Sequence, residues 1–99
     1  MVHNAREKPI RLAEKLTQIR TELGLSQSQL IHRLGFSETM RQSHISGYEL
    51  GTREPSLIVL LRYARIAGVA MEVLVDDELD LPKRLPITSD RTMKREKRH

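Results

Sequence analysis

The chain has no cysteine, no tryptophan, one phenylalanine and two tyrosines among its 99 residues. Without cysteine there is no disulfide framework and no thiolate metal site, which fits a cytoplasmic protein. With so few aromatics, the interior has to be built from Leu, Ile, Val, Ala and Met, and one domain of this length buries only a modest core. No apolar run approaches the roughly 20 residues of a membrane-spanning helix, so no membrane is expected among the partners. The opening residues MVHNAREKPI hold no apolar stretch of the kind a secretory signal needs, and none is expected. There is no nucleophile motif, no glycine-rich phosphate loop and no paired His/Asp arrangement, so the chain does not read as an enzyme and no cofactor is expected. No metal site is expected either. His44 has no second ligand at metal spacing, and the run DDELD lacks the glycine and regular spacing of a calcium loop and reads as a solvated helix end.

Acidic residues are scarce over most of the chain and concentrated in one place. Residues 1–65 carry ten Lys/Arg against six Asp/Glu. Residues 66–81 carry five acids and no Lys/Arg, and residues 82–99 carry seven Lys/Arg against two acids. The net charge is +4 and the pI is near 9.9. Positive charge on the first two-thirds and on the tail attracts a polyanion: nucleic acid, an acidic membrane or an acidic protein. A solvated surface accounts for the charge equally well.

What is present is a row of short helices. Leu12, Leu16, Ile19 and Leu23 make one stripe of an amphipathic helix, for which Pro9 suits the first position and Gly24 the stop. Ser26 is an N-cap for a second helix, QSQLIHRL, with Leu30 and Leu34 on its inner edge and Gly35 at its end. A third helix from about Gln42 turns Ile45 and Tyr48 one way and Gln42, Ser43 and Ser46 the other. GTREP is a turn, Ser56 is the next N-cap, and LIVLLRYARIA is the most apolar helix, closed by Gly68. MEVLVDDEL reads as a short fifth helix. No alternation of period two persists, so no strand is expected. The organisation is a flexible N-terminal arm (1–8), a helical domain (9–81), and a basic tail (82–99) whose two prolines and few apolar residues read as disordered.

The segments LGLSQ, L…LG, IS.YE.G and REPSL, followed by the A…G close of the fourth helix, resemble the Cro and phage-repressor (Xre-type) helix-turn-helix family over about residues 12–76. The resemblance implies an all-α, compact five-helix lambda-repressor-like domain, here followed by the basic flexible tail. It implies a dimeric transcriptional regulator, a repressor by preference, that binds double-stranded DNA with its third helix in the major groove. The setting it implies is the cytoplasm, with a bacterial, archaeal or phage-encoded gene.

Carried over position by position, the base-reading residues are Gln42, Ser43, Ser46 and Gly47. The backbone contacts are Gln27 and the turn Gly51, Thr52 and Arg53, joined by Arg41 or Thr39. Gln suits an adenine edge, and Ser serves either strand. One short helix cannot select a site alone, whereas two from a dimer, about 34 Å apart along the duplex, can. The same family pairs an Arg late in helix one with a Glu late in helix three, here Arg20 and Glu49.

Three features depart from the family pattern. The stretch from Gly35 to Gly51 is about four residues longer than usual, close to one helical turn, with the surplus near 38–41. Extending the helix back would bring Arg41 toward the core, where a charge is unfavourable, so a longer turn is expected. Gly47 puts no side chain at a reading position. That permits close approach to DNA, or is a tolerated gap costing about 1 kcal/mol of helix propensity. Ile58, Val59 and Val73 are apolar where the family is polar, which points to a dimer or partner surface, unless the tail covers them. The alternative function is therefore a protein-interaction module such as an antitoxin, binding a toxin or other partner through these residues or through the tail.

Overall fold

A computed structural model describes residues 8–86 and contains five helices: α1 Leu12–Leu23, α2 Gln27–Leu34, α3 Gln42–Leu50, α4 Leu57–Ala67 and α5 Met71–Val75. Among the described residues there is no strand, and no helix is long and apolar enough to cross a membrane. The core collects the inner stripe of every helix. Leu12, Leu16 and Ile19 of α1 meet Leu30 and Leu34 of α2, Ile45 of α3, Leu60 and Tyr63 of α4, and Leu74 of α5. Tyr63 is fully buried at its centre, and burial raises its phenol pKa well above the usual value.

The start signals read from the sequence hold for α2 and α4. Ser26 Oγ accepts the Gln29 N–H at 3.0 Å, and Ser56 Oγ accepts the Val59 N–H at 3.3 Å. The start of α1 differs from expectation, since Pro9 lies ahead of the helix, which opens at Leu12. The two residues just ahead of the helix are held instead by a distant carboxylate. Asp77 accepts the N–H of Ile10 and the N–H of Arg11, both at 3.0 Å. These two hydrogen bonds hold the Asp77 pKa below the usual carboxylate value.

The acidic run is exposed over Glu78, Leu79 and Asp80, as expected, but it is not a helix end. α5 stops at Val75, and residues 76–80 fold into a turn against α1. Asp80 pairs with Arg11 at 2.6 Å. Lys15, 1% exposed, points its ammonium into the same turn and donates to the carbonyls of Val73 (2.8 Å), Asp76 (3.0 Å) and Leu79 (2.7 Å). All three ammonium protons are thereby satisfied, which is what makes a buried lysine tolerable. Desolvation lowers the Lys15 pKa and neighbouring Arg11 adds to that effect, while the aspartates of the turn oppose both.

Two further expectations need correction. The packed chain does not end at Leu81: Leu85 is 5% exposed and belongs to the core, so residues 82–86 are not a free tail. Gly68 makes room for this return, because a Cβ built there would fall 1.9 Å from the Pro86 carbonyl oxygen. The rest of the predicted tail, and residues 1–7 of the predicted arm, lie outside the described residues. The second correction concerns Ile58, Val59 and Val73, which do not form one surface. Val59 lies on the same stripe as Tyr63 and Ile66 and is 4% exposed in the core. Val73 is half-buried against that core, and of the three only Ile58 is exposed.

Candidate nucleic-acid interface

The surplus residues near 38–41 lie in the turn between α2 and α3, and α3 itself starts at Gln42. The turn is anchored from within. Phe36 and Met40 are partly buried against the core, and the Phe36 carbonyl accepts the N–H groups of Thr39 (3.1 Å) and Met40 (2.9 Å). Arg62 of α4 stacks its guanidinium over the Phe36 ring, 4.8 Å from the centroid, and donates to the Leu34 carbonyl at 2.7 Å. Arg41 follows in extended backbone immediately before α3. Thr39 and Arg41 are both exposed.

The first residues of α2 and α3 meet. Gln42 Nε2 donates to Gln27 Oε1 at 3.2 Å, and Gln27 Nε2 donates to Glu49 Oε1 at 3.2 Å. Glu49 is in turn gripped by Arg20, whose Nε and Nη2 reach the two carboxylate oxygens at 2.7 and 3.1 Å. Arg20 Nη1 also donates to the Leu25 carbonyl at 2.9 Å. This two-pronged geometry is the strong form of the carboxylate–guanidinium pair, and it raises the Arg20 pKa further. Four side chains from three helices thus fix the corner at which the exposed Gln42 and half-buried Gln27 emerge.

The remaining candidate residues cluster around α3. Ser43 is exposed, and Ser46 and Gly47 are half-buried. The turn Gly51, Thr52 and Arg53 is exposed and folds back onto Gly47, whose carbonyl accepts the N–H groups of Thr52 at 3.0 Å and Arg53 at 3.2 Å. A Cβ built on Gly47 would lie 2.9 Å from the Arg53 Cβ. The glycine is therefore required inside the protein, to let the backbone turn close against its own helix. Neither alternative drawn from the sequence included this reason.

The electrostatics favour an anion. Neither α2 nor α3 carries an acid in its first turn, so neither helix offsets the positive end of its own dipole there. Among the described residues, no three His, Asp or Glu side chains converge as metal ligands would.

The family model for the helix-turn-helix matches residues 11–74, from the start of α1 to α5. The chain belongs to the Cro and Xre type of helix-turn-helix family. Comparison with curated proteins and with solved structures returned no match. As a helix-turn-helix protein it has a DNA-binding function of the transcription-regulator kind. Sequence reasoning missed the relay from Glu49 through Gln27 to Gln42, because no local pattern links residues on three helices. It also missed the side chains that cap α2 and α3 from within. For α2 the signal was present, since S-x-x-Q is the spacing of a capping box.

Proposed function

We propose that the protein is a sequence-specific repressor that binds double-stranded DNA as a homodimer, with α3 in the major groove. The observation that carries this reading is the Gln27–Gln42 hydrogen bond at the exposed corner of α2 and α3. It presets the orientation of Gln42, and a preset amide is what bidentate recognition of an adenine edge requires. Gln42, Ser43 and Ser46 read bases, and Gln27, Thr39, Arg41 and the turn of Gly51, Thr52 and Arg53 hold the phosphate backbone. Gly47 acts by letting that turn close. Leu57 and Ile58, 75% and 49% exposed at the start of α4, supply apolar surface for the second subunit.

The test is selection from a random duplex pool followed by binding of the recovered sequences across a salt series. A two-fold symmetric site whose enrichment is lost with Gln42→Ala supports the reading. Equal, weak and steeply salt-dependent binding to every duplex refutes it. The exposed pair Leu57 and Ile58 also favours a second reading, in which a different protein, such as a toxin, covers that surface. In that case Ile58→Asp would abolish partner binding and leave a DNA-binding monomer.

A further inference from the structure

The start of α3 lacks a capping side chain at the usual position. Arg41 stands there, and its side chain makes no capping hydrogen bond to the first turn. The cap comes from the other direction. His44, the third residue of the helix, turns its ring back and accepts the Arg41 backbone N–H on Nδ1 at 2.9 Å, while the His44 N–H is donated to the Arg41 carbonyl, also at 2.9 Å. An acceptor Nδ1 carries no proton, so this cap requires a neutral imidazole protonated on Nε2.

α2 meets the same need with another neutral group. Its third residue, Gln29, accepts the Ser26 N–H on Oε1 at 2.8 Å. On stability grounds alone, glutamate is the best-suited residue for this place. It makes the same hydrogen bond and adds a favourable charge at the positive end of the helix dipole. Both helices at the proposed interface do without it, and neither has an acid in its first turn. α4 has none there either, but α1 and α5 carry Glu14 and Glu72.

We infer that His44 is a positioning residue for DNA binding: it fixes the first turn of α3 through a hydrogen bond that brings no negative charge to the surface facing phosphate. The inference rests on the reading of α3 as the DNA-facing helix. Its distinguishing content is that cap strength and DNA affinity part company at residue 44. A residue that merely stabilised the fold would move both together.

The experiment compares the full chain with His44→Gln, His44→Glu and His44→Ala, measuring Tm and affinity for the tightest duplex recovered from the random pool. His44→Gln, which copies Gln29, matches the wild type in both. His44→Glu keeps or raises Tm yet binds roughly tenfold more weakly at low salt, and the deficit shrinks as salt screens the added charge. His44→Ala loses both Tm and affinity. The inference is overturned if His44→Glu binds as tightly as wild type at low salt, or if His44→Gln keeps its Tm but not its affinity. If His44→Ala does not fold, the Gln and Glu variants decide by themselves. A wild type that prefers no duplex refutes the reading of α3 as well, a result distinct from a wild type that selects a site and tolerates glutamate.

Discussion

Gln42 donates its side-chain amide to Gln27 across the corner between α2 and α3, at 3.2 Å. Two glutamines fifteen residues apart in the chain thus act as one group. Because Gln27 also donates to Glu49, the pair is tied to the Arg20–Glu49 clasp between α1 and α3. An exposed glutamine ordinarily samples many rotamers, and holding one in place removes an entropic cost of binding of about 1 kcal/mol.

This connection predicts coupled effects on recognition. Gln42→Ala is expected to reduce discrimination at its base pair by about 1–3 kcal/mol. Gln27→Ala is expected to weaken binding and to lose part of the same discrimination. In a double-mutant cycle the two changes should fall short of additivity by at least about 0.5 kcal/mol. Strictly additive losses would mean that Gln27 does not orient Gln42.

Asp77 makes stability sensitive to acid. Its folded-state pKa lies below the ordinary 3.8, because it accepts the Ile10 and Arg11 N–H groups. The stabilisation is therefore fully present above the unfolded value and is lost as pH falls through the lower folded one. Asp77→Ala should lower Tm at neutral pH, and the gap to wild type should narrow between about pH 5 and about pH 2. A gap independent of pH would show that the carboxylate charge does not contribute.

Lys15 closes the C-terminal end of the domain rather than lying on its surface. Lys15→Met keeps the aliphatic stem but deprives the carbonyls of Val73, Asp76 and Leu79 of their donor. The expected loss is on the order of 3 kcal/mol, taking about 1 kcal/mol for each partly buried acceptor left unpaired. Chemical denaturation should show a lower midpoint with an unchanged slope. A neutral result would mean that water replaces the ammonium without cost.

Gly47 offers a sharper contrast, because propensity and packing predict opposite signs. Alanine in mid-helix would stabilise by about 1 kcal/mol. The new Cβ would lie 2.9 Å from the Arg53 Cβ, an atom tied to the backbone and unable to swing away. Gly47→Ala is therefore expected to lower Tm and to weaken DNA binding by displacing the 51–53 turn. Higher stability with unchanged affinity would mean that the turn shifts freely.

Much of the fold was legible in the residues. The stripes Leu12–Leu16–Ile19 and Leu30–Leu34, the serines at 26 and 56, and the glycines at 24, 35, 51 and 68 mark helices by local rules, and the structure places α2, α3 and α4 within a residue of the expected bounds. Local rules failed where the decisive partner was remote. Pro9 looked like a helix start, but α1 opens at Leu12 behind two residues that Asp77 holds, and DDELD looked like a helix end but folds into a turn that Lys15 and Arg11 face. Val59 was assigned outward by comparison with polar relatives, although its spacing to Tyr63 turns it inward.

The sequence by itself determined the helices, their order and the polar face of α3, because periodicity, capping and glycine stops act over a few residues. It also carried the family pattern. The Arg20–Glu49 pair was expected from that pattern and is present, but only the tertiary structure decided the relay from Glu49 through Gln27 to Gln42 and the return of Leu85 to the core. These contacts join residues remote in the chain. Their energies exist only once the helices have packed, so no window of sequence contains them.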